Sequence, residues 1–476
     1  MPLLAEIQMG YAPAWVDDSI AAWTDDSITA WVDGSELTLY LSDQNFADAV
    51  FWSGLILDFE SPSYAQDTEY GGMIRTNAGS ITIAMSAFFG TVWPPPREIT
   101  IVISYTATTA AAKVHIFSGT GFISAVEYPE AVIYNLYAVS KGGNLLETTL
   151  DYDGNTVDLP RAFGEVKYGK AIRLSDYMFP GEGILGVYPQ YSGGHIQANG
   201  SLRIYDDGVD ITSNLVTVRM DDDATYPGIR SIILNVLPVG EVTLSGDGVT
   251  SDIDSLFTWA ITGNRLNLTA NWTTYTGHRI DKYVTAQNDL LSFLSSAASA
   301  NLFSFYIYYS SLTGGSGSTL TLIDNRVTST TAMSVDIPSG ALAGTEITAL
   351  SPKSLARHTW DVSVPKEIDM SYQLVVEQRT ATVASDYPFG DELEIDVFTD
   401  VNEQIVKRLQ DILDVWHMPR ISLELPMAGT FPVQGQQIDI TDGRYSPDMT
   451  GTFFVRGITY DFLGKKIIID GEGGIA

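Results

Sequence analysis

The 476 residues read as a mainly β protein with a few helices, an α+β chain built from several β-sandwich or barrel domains. Three observations lead there. Short runs of β-branched and aromatic residues recur along most of the length, punctuated by Gly, Pro and Asp. Only two stretches, about 282–300 and 401–417, carry the apolar period of a helix. A hydrophobic content of 45% allows large buried cores and excludes wholesale disorder.

The chain divides by pattern into four parts: residues 1–36, 37–180, 181–350 and 351–476. The first is a repeat. AWVDDSI, AWTDDSI and AWVDGS follow one another with a period of eight, so Trp15, Trp23 and Trp31 are in step. Eight is even, and in an extended chain the three indoles share one side. Asp-Asp-Ser and Asp-Gly-Ser are turn chemistry, so the segment reads as a small meander or arm. Such a piece is too small to bury three indoles by itself. It docks them on its own chain or on a neighbour, which makes Trp15, Trp23 and Trp31 candidate interface anchors.

In the second part Leu37–Leu41, Ser80–Met85, Ile99–Tyr105 and Val132–Tyr137 carry strand-type residues, and WPPPR at 93–97 is an extended polyproline stretch. The third part adds Ser201–Tyr205, Val216–Met220, Ile232–Leu237 and Arg265–Trp272, with Asp206-Asp207-Gly208 as a tight hairpin turn. The first helix follows, with Tyr283, Ala286, Leu290, Leu294 and Ala297 on one face, then strands at 303–309 and 319–324. In the last part a helix from Val401 to His417, started by Asp400 and Glu403 and stopped by Pro419, buries Ile405, Leu409, Ile412, Leu413 and Trp416. Alternating strands then pass through Ile421, Ile438, Phe453 and Ile467. Each helix leads into strands, which suggests two related helix-plus-barrel units.

Charge narrows function. There are 58 acidic residues against 26 basic ones, a net charge of −32, and thirteen Asp or Glu precede the first cation, Arg75. Such a chain repels nucleic acid and anionic membranes. An anionic wall could, however, let DNA slide past without sticking. No Cys is present, which removes thiol catalysis, disulfides, iron–sulfur clusters and Cys-based zinc sites. No secretory signal and no membrane span are expected.

No catalytic constellation emerges, and no cofactor is expected. His115, His195, His278, His358 and His417 are scattered without metal-ligand spacing. The Gly181, Gly183, Gly186 match to a dinucleotide loop follows Pro180 rather than a strand and reads as a turn. Gly314 to Ser318 is a flexible loop, not a nucleophile elbow. Asp151, Asp153, Asn155 and Asp158 have a spacing that could ligate calcium, but the Asp-Gly between them equally makes a hairpin turn. The cluster Asp221, Asp222, Asp223 reads as a solvated loop.

At the second helix the sequence resembles the tail-hub proteins of siphophages. RLQDILDVWHMPRISLELPM (408–427), FPVQGQQIDITDG (431–443) and GTFFVRGITYDFLGKKIIIDG (451–471) are similar to that family's helix, entry strand and closing hairpin. NDLLSFLSSAASANLFSFYIYY (288–309) with LTLIDN (320–325) resembles an upstream copy. The resemblance implies two tail-tube-like modules per chain, each with one packed helix, and a homotrimer whose six modules form a ring. That ring would sit at the virion's tail tip or baseplate, after assembly in the host cytoplasm. Its implied partners are a distal tail or tail-tube ring protein, a central fibre protein and the tape-measure protein. Genomic DNA would pass only in transit, during ejection that follows host attachment. The residues leave two other readings open. One is a carbohydrate- or receptor-binding module that uses the Trp repeat, and the other is a β-rich hydrolase with carboxylates facing across a cleft.

Overall fold

A computed structural model describes residues 3–9, 37–326, 331–337, 347–350, 357–382 and 420–475, with internal breaks, the longest at 106–113, 175–188, 222–228, 309–317 and 427–434. The architecture is mainly β, with two α-helices among the described residues.

The first sheet has nine strands, in the order Phe46–Ala47, Phe51–Gly54, Leu37–Ser42, Leu3–Met9, Glu98–Tyr105, Val114–Glu127, Ala131–Ala138, Ser80–Ala84 and Ile56–Glu60. Alternation decides its two faces. Ile99, Ile101 and Ile103 point inward and are buried, whereas Glu98, Thr100 and Val102 between them are exposed or half-buried. The inner face joins one core with Leu423, Ile438, Ile440, Phe453, Val455, Ile467 and Ile469 from the C-terminal strands. The N-terminal and C-terminal sheets thus bury each other, which removes both apolar faces from water. Gly121 is needed here, because a Cβ would meet Ile99 Cγ1 at 2.8 Å.

The second sheet has eleven strands and is wider than either module read from the sequence. The hairpin Ser63–Thr68/Gly71–Thr76 lies in its middle. On one side Gly71–Thr76 pairs with Phe303–Tyr308, which pairs with Thr319–Asp324. On the other side Ser63–Thr68 pairs with Met449–Asp461, which pairs with Lys466–Ile475.

Helix α1 (Ile253–Ile261) and helix α2 (Leu290–Ala300) pack on the first of these flanks. Both start on an aspartate: Ser255 N donates to Asp252 Oδ1 at 2.8 Å, and Ser292 N to Asp289 Oδ2 at 2.8 Å. Leu256, Phe257, Ala260, Leu290, Leu294 and Ala297 form the second core with Phe303, Phe305, Leu320 and Leu322. A third core lies among two four-stranded sheets, built on Val166, Ile204, Ile232, Leu234, Val242 and Leu244. Arg357–Ile368 and Ser371–Thr382 form a separate two-stranded ribbon, paired without a slip from Arg357↔Thr382 to Ile368↔Ser371.

Several expectations are met closely. Strands occupy Leu37–Ser42, Ser80–Ala84, Glu98–Tyr105, Ala131–Ala138, Leu215–Asp221, Phe303–Tyr308 and Thr319–Asp324. The first helix is shorter than its apolar period. Lys282–Val284 is a strand paired with Arg161–Phe163, and the Tyr283 hydroxyl donates to Lys170 O at 2.6 Å. The helix starts only at the Asp289 cap. Helix α1 interrupts a stretch whose pattern reads as strands, and its local signal is Asp252-x-x-Ser255 with the spacing of Ile253, Leu256, Phe257 and Ala260. Strand pairing also runs across the four sequence divisions. Leu3–Met9, inside the segment whose repeat reads as an arm, pairs with Leu37–Ser42 and Glu98–Tyr105. The helix expected at 401–417 lies outside the described residues.

Candidate functional site

The polar clusters inside the fold are occupied by structural work. Arg279 donates through Nε to Asp281 Oδ1 and through Nη2 to Glu165 Oε2, each at 2.8 Å, while Glu165 N donates to Asp281 Oδ1 at 2.7 Å. This ties the strand Glu165–Lys170 to the loop ahead of Lys282–Val284. Arg326 holds Asp324 at 2.7 Å, contacts both ring nitrogens of His278 and lies over the Phe303 ring. Arg161 and Arg265 both stack on Trp259, at 4.2 and 4.3 Å. Burial pulls the Arg161 pKa down to about 10. Arg265 also donates to Trp259 O at 3.0 Å, a cation at the C-terminal end of α1. A shallow groove is lined by Gly143, Asn144, Gln287, Asn288 and Asp289, and two of its side chains do structural work. Gln287 bridges both backbone groups of Leu146, and Asp289 caps α2. Among the described residues no three His, Asp or Glu are placed to hold a metal ion, and no helix is long and apolar enough to cross a membrane.

Two surfaces stand out instead. The first is the hairpin turn between Arg203–Asp206 and Val209–Asp210. Asp207 (φ 45) and Gly208 (φ 80) are both left-handed, as a two-residue turn of this kind requires. Its carboxylates grip the neighbouring loop: Asp206 accepts from Val239 N at 2.9 Å and Gly240 N at 2.7 Å, and Asp207 from Glu241 N at 2.8 Å. The grip holds Val239 97% exposed, with Leu237 and Val209 also exposed.

The second surface is the outer face of the nine-stranded sheet. Register places Glu98, Phe122, Asn135, Ser80 and Glu60 in one row across five strands. The next row runs Thr38, Gln8, Thr100, Thr120 and Tyr137. A third holds Tyr40, Glu6, Val102 and Ser118. Phe122 is 44% and Tyr137 50% exposed, and the two rings meet edge-to-face at 5.6 Å. None of the nine strands contains Lys or Arg.

Of the residues singled out by sequence, Trp15, Trp23 and Trp31 lie outside the described residues, as do His195, His417, Asp153, Gly181, Gly183, Gly186 and 314–317. Asp151, Asn155 and Asp158 sit on two paired antiparallel strands, Thr149–Tyr152 and Asn155–Asp158. His115 lies in the strand Val114–Glu127 and His358 in Arg357–Ile368. Asp221 ends a strand, while Asp222 and Asp223 lie outside the described residues. Neither surface was named from the sequence. The Asp206-Asp207-Gly208 turn was, but not its hold on 239–241, which lies 34 residues away.

No known protein family and no curated protein sequence matches the chain. Solved structures to which it is similar include several tail proteins. One is a tail protein from Neisseria meningitidis MC58, at 8% identity and a TM-score of 0.40, covering 87% of this chain and 92% of that one. Another is the 43 kDa tail protein of prophage MuSo2 from Shewanella oneidensis, at 8% identity and a TM-score of 0.42, covering 90% and 94%. A third is prophage tail protein gp18 from Listeria monocytogenes EGD-e, at 8% identity and 0.37, covering 87% and 89%.

Proposed function

We propose that the chain is a structural subunit of a phage-type tail, a hub at the tail tip or baseplate that joins the tail tube to a central fibre beside the DNA path. One observation carries this reading. The two segments that resemble hub modules each end in an antiparallel strand pair, Phe303–Tyr308 with Thr319–Asp324 and Met449–Asp461 with Lys466–Ile475. The two pairs flank the hairpin Ser63–Thr68/Gly71–Thr76 within one sheet. Twin units in one polypeptide suit a homotrimer that matches a sixfold ring. The net charge of −32 suits a wall past which DNA moves without binding. On this reading the protein is not an enzyme and resides in the virion. Its partners are copies of itself, the distal tail or tail-tube ring, the central fibre and the tape-measure protein. The Trp15, Trp23, Trp31 repeat serves as an inter-subunit arm.

Electron microscopy of the assembled particle, with this chain carrying a small tag, tests the reading. Density for the tag on the tail axis, in three copies, is the expected result. A position off the axis, or absence from the particle, overturns it.

A further inference from the structure

The outer face of the nine-stranded sheet is finished for contact rather than for water. An ordinary solvated sheet face mixes both signs of charge. This one carries Glu6, Asp58, Glu60 and Glu98 and, from its own strands, no Lys or Arg at all. The row through its middle starts on Glu98, crosses Phe122 and Asn135, and finishes at Ser80 and Glu60, so carboxylates bracket the exposed aromatic pair. The positions between them carry no charge: Thr38, Gln8, Thr100, Thr120 and Thr82, with Tyr40 and Val102 in the third row. The positions of the three rows, at about 4.8 Å between strands and about 6.8 Å between rows, make a plate of roughly 450 Å². That is more than half of the roughly 800 Å² each partner gives to a specific protein interface.

Taking this chain as a tail subunit, as proposed above, we infer that the outer face of the nine-stranded sheet docks a different protein that presents a flat apolar centre rimmed by Lys or Arg. Charge complementarity selects that occupant. DNA is repelled by the acidic rim. A second copy laid face to face brings no Lys or Arg from its own strands to Glu60 or Glu98, so their carboxylates would be desolvated without a countercharge. A basic rim meets every carboxylate, and the Phe122–Tyr137 pair supplies the desolvated centre that dominates interface energy.

The test uses assembled particles. Carbodiimide coupling, which joins a carboxylate directly to a touching amine, is followed by peptide mapping. The expected result is a link from Asp58, Glu60 or Glu98 to a lysine of another protein, with oxidative labelling of Tyr137 falling at least fivefold relative to the free chain. Links only to lysines of this same chain, or Tyr137 labelled equally in particle and free chain, overturn the inference while leaving the tail function standing. Absence of the chain from the particle overturns the function itself, and this inference with it. A Phe122→Ser/Tyr137→Ser variant should keep the circular dichroism and melting temperature of the free chain and enter particles at least tenfold less. The charge-reversed Glu60→Lys/Glu98→Lys variant should show the same loss. Normal incorporation of both refutes the docking face.

Discussion

The nine-stranded sheet and the smaller unit around the third core both leave apolar side chains in water, but they hold them there by different means. On the sheet, Phe122 and Tyr137 are held out by register: their neighbours Tyr134 and Leu136 are buried, and alternation leaves the next position no other side. In the smaller unit, Leu237 and Val239 sit in a loop with no ladder, and three backbone amides of 239–241 that donate to the carboxylates of Asp206 and Asp207 fix it. A sheet face can therefore change its exposed residues freely without losing shape. A gripped loop depends on two side chains.

The largest effect that would sharpen this contrast lies under the sheet. Phe453→Ala removes a side chain shared by the N-terminal and C-terminal sheets and should cost roughly 3–5 kcal/mol, because the two faces cannot close the cavity together. Chemical denaturation measures it. A loss below about 1 kcal/mol would mean that the two sheets do not share one core.

Asp206→Ala comes next. It leaves the amides of Val239 and Gly240 without their acceptor and should cost about 1–3 kcal/mol, with faster hydrogen exchange confined to 239–241. Exchange that rises equally across the nine-stranded sheet would break the comparison.

The smallest effect is one of pH. Burial raises the pKa of Tyr134 far above its ordinary 10.0, and its hydroxyl donates to Pro96 O at 3.0 Å. The folded chain keeps this proton above pH 10 while the unfolded chain loses it. Unfolding then releases a proton, so stability falls as pH climbs past 10, by about 1.4 kcal/mol per pH unit. Tyr134→Phe should cost about 1 kcal/mol near neutrality for the lost hydrogen bond and should flatten the alkaline loss. Denaturation midpoints near neutrality and above pH 10 read both.

Legibility followed the range of the cause. The Asp207-Gly208 turn, the strand Glu98–Tyr105 and helix α2 answer to rules that act within a few residues, and their sequence signals were sufficient. Helix α1 carried an equally local signal that the surrounding strand pattern masked. The start of α2 was overread because Tyr283 and Ala286 fit a helical period, while a ladder to Arg161–Phe163 more than a hundred residues away claims that backbone. The acidic residues of these strands, and their lack of Lys and Arg, are legible in the sequence. Their meaning appeared only once nine strands from five separate stretches lay side by side.

By itself the sequence determined the β character, the hairpin turns, the acidic surplus and the lack of thiol chemistry, because backbone sterics, alternation and charge are written residue by residue. Tertiary structure alone decided that Leu3–Met9 belongs in the first sheet, that Ser63–Thr76 joins the strand pairs near 310 and 460, and that Phe122 and Tyr137 face outward between carboxylates. Strand partners hundreds of residues apart are chosen by burial of shared faces, and no local period records which face will find which.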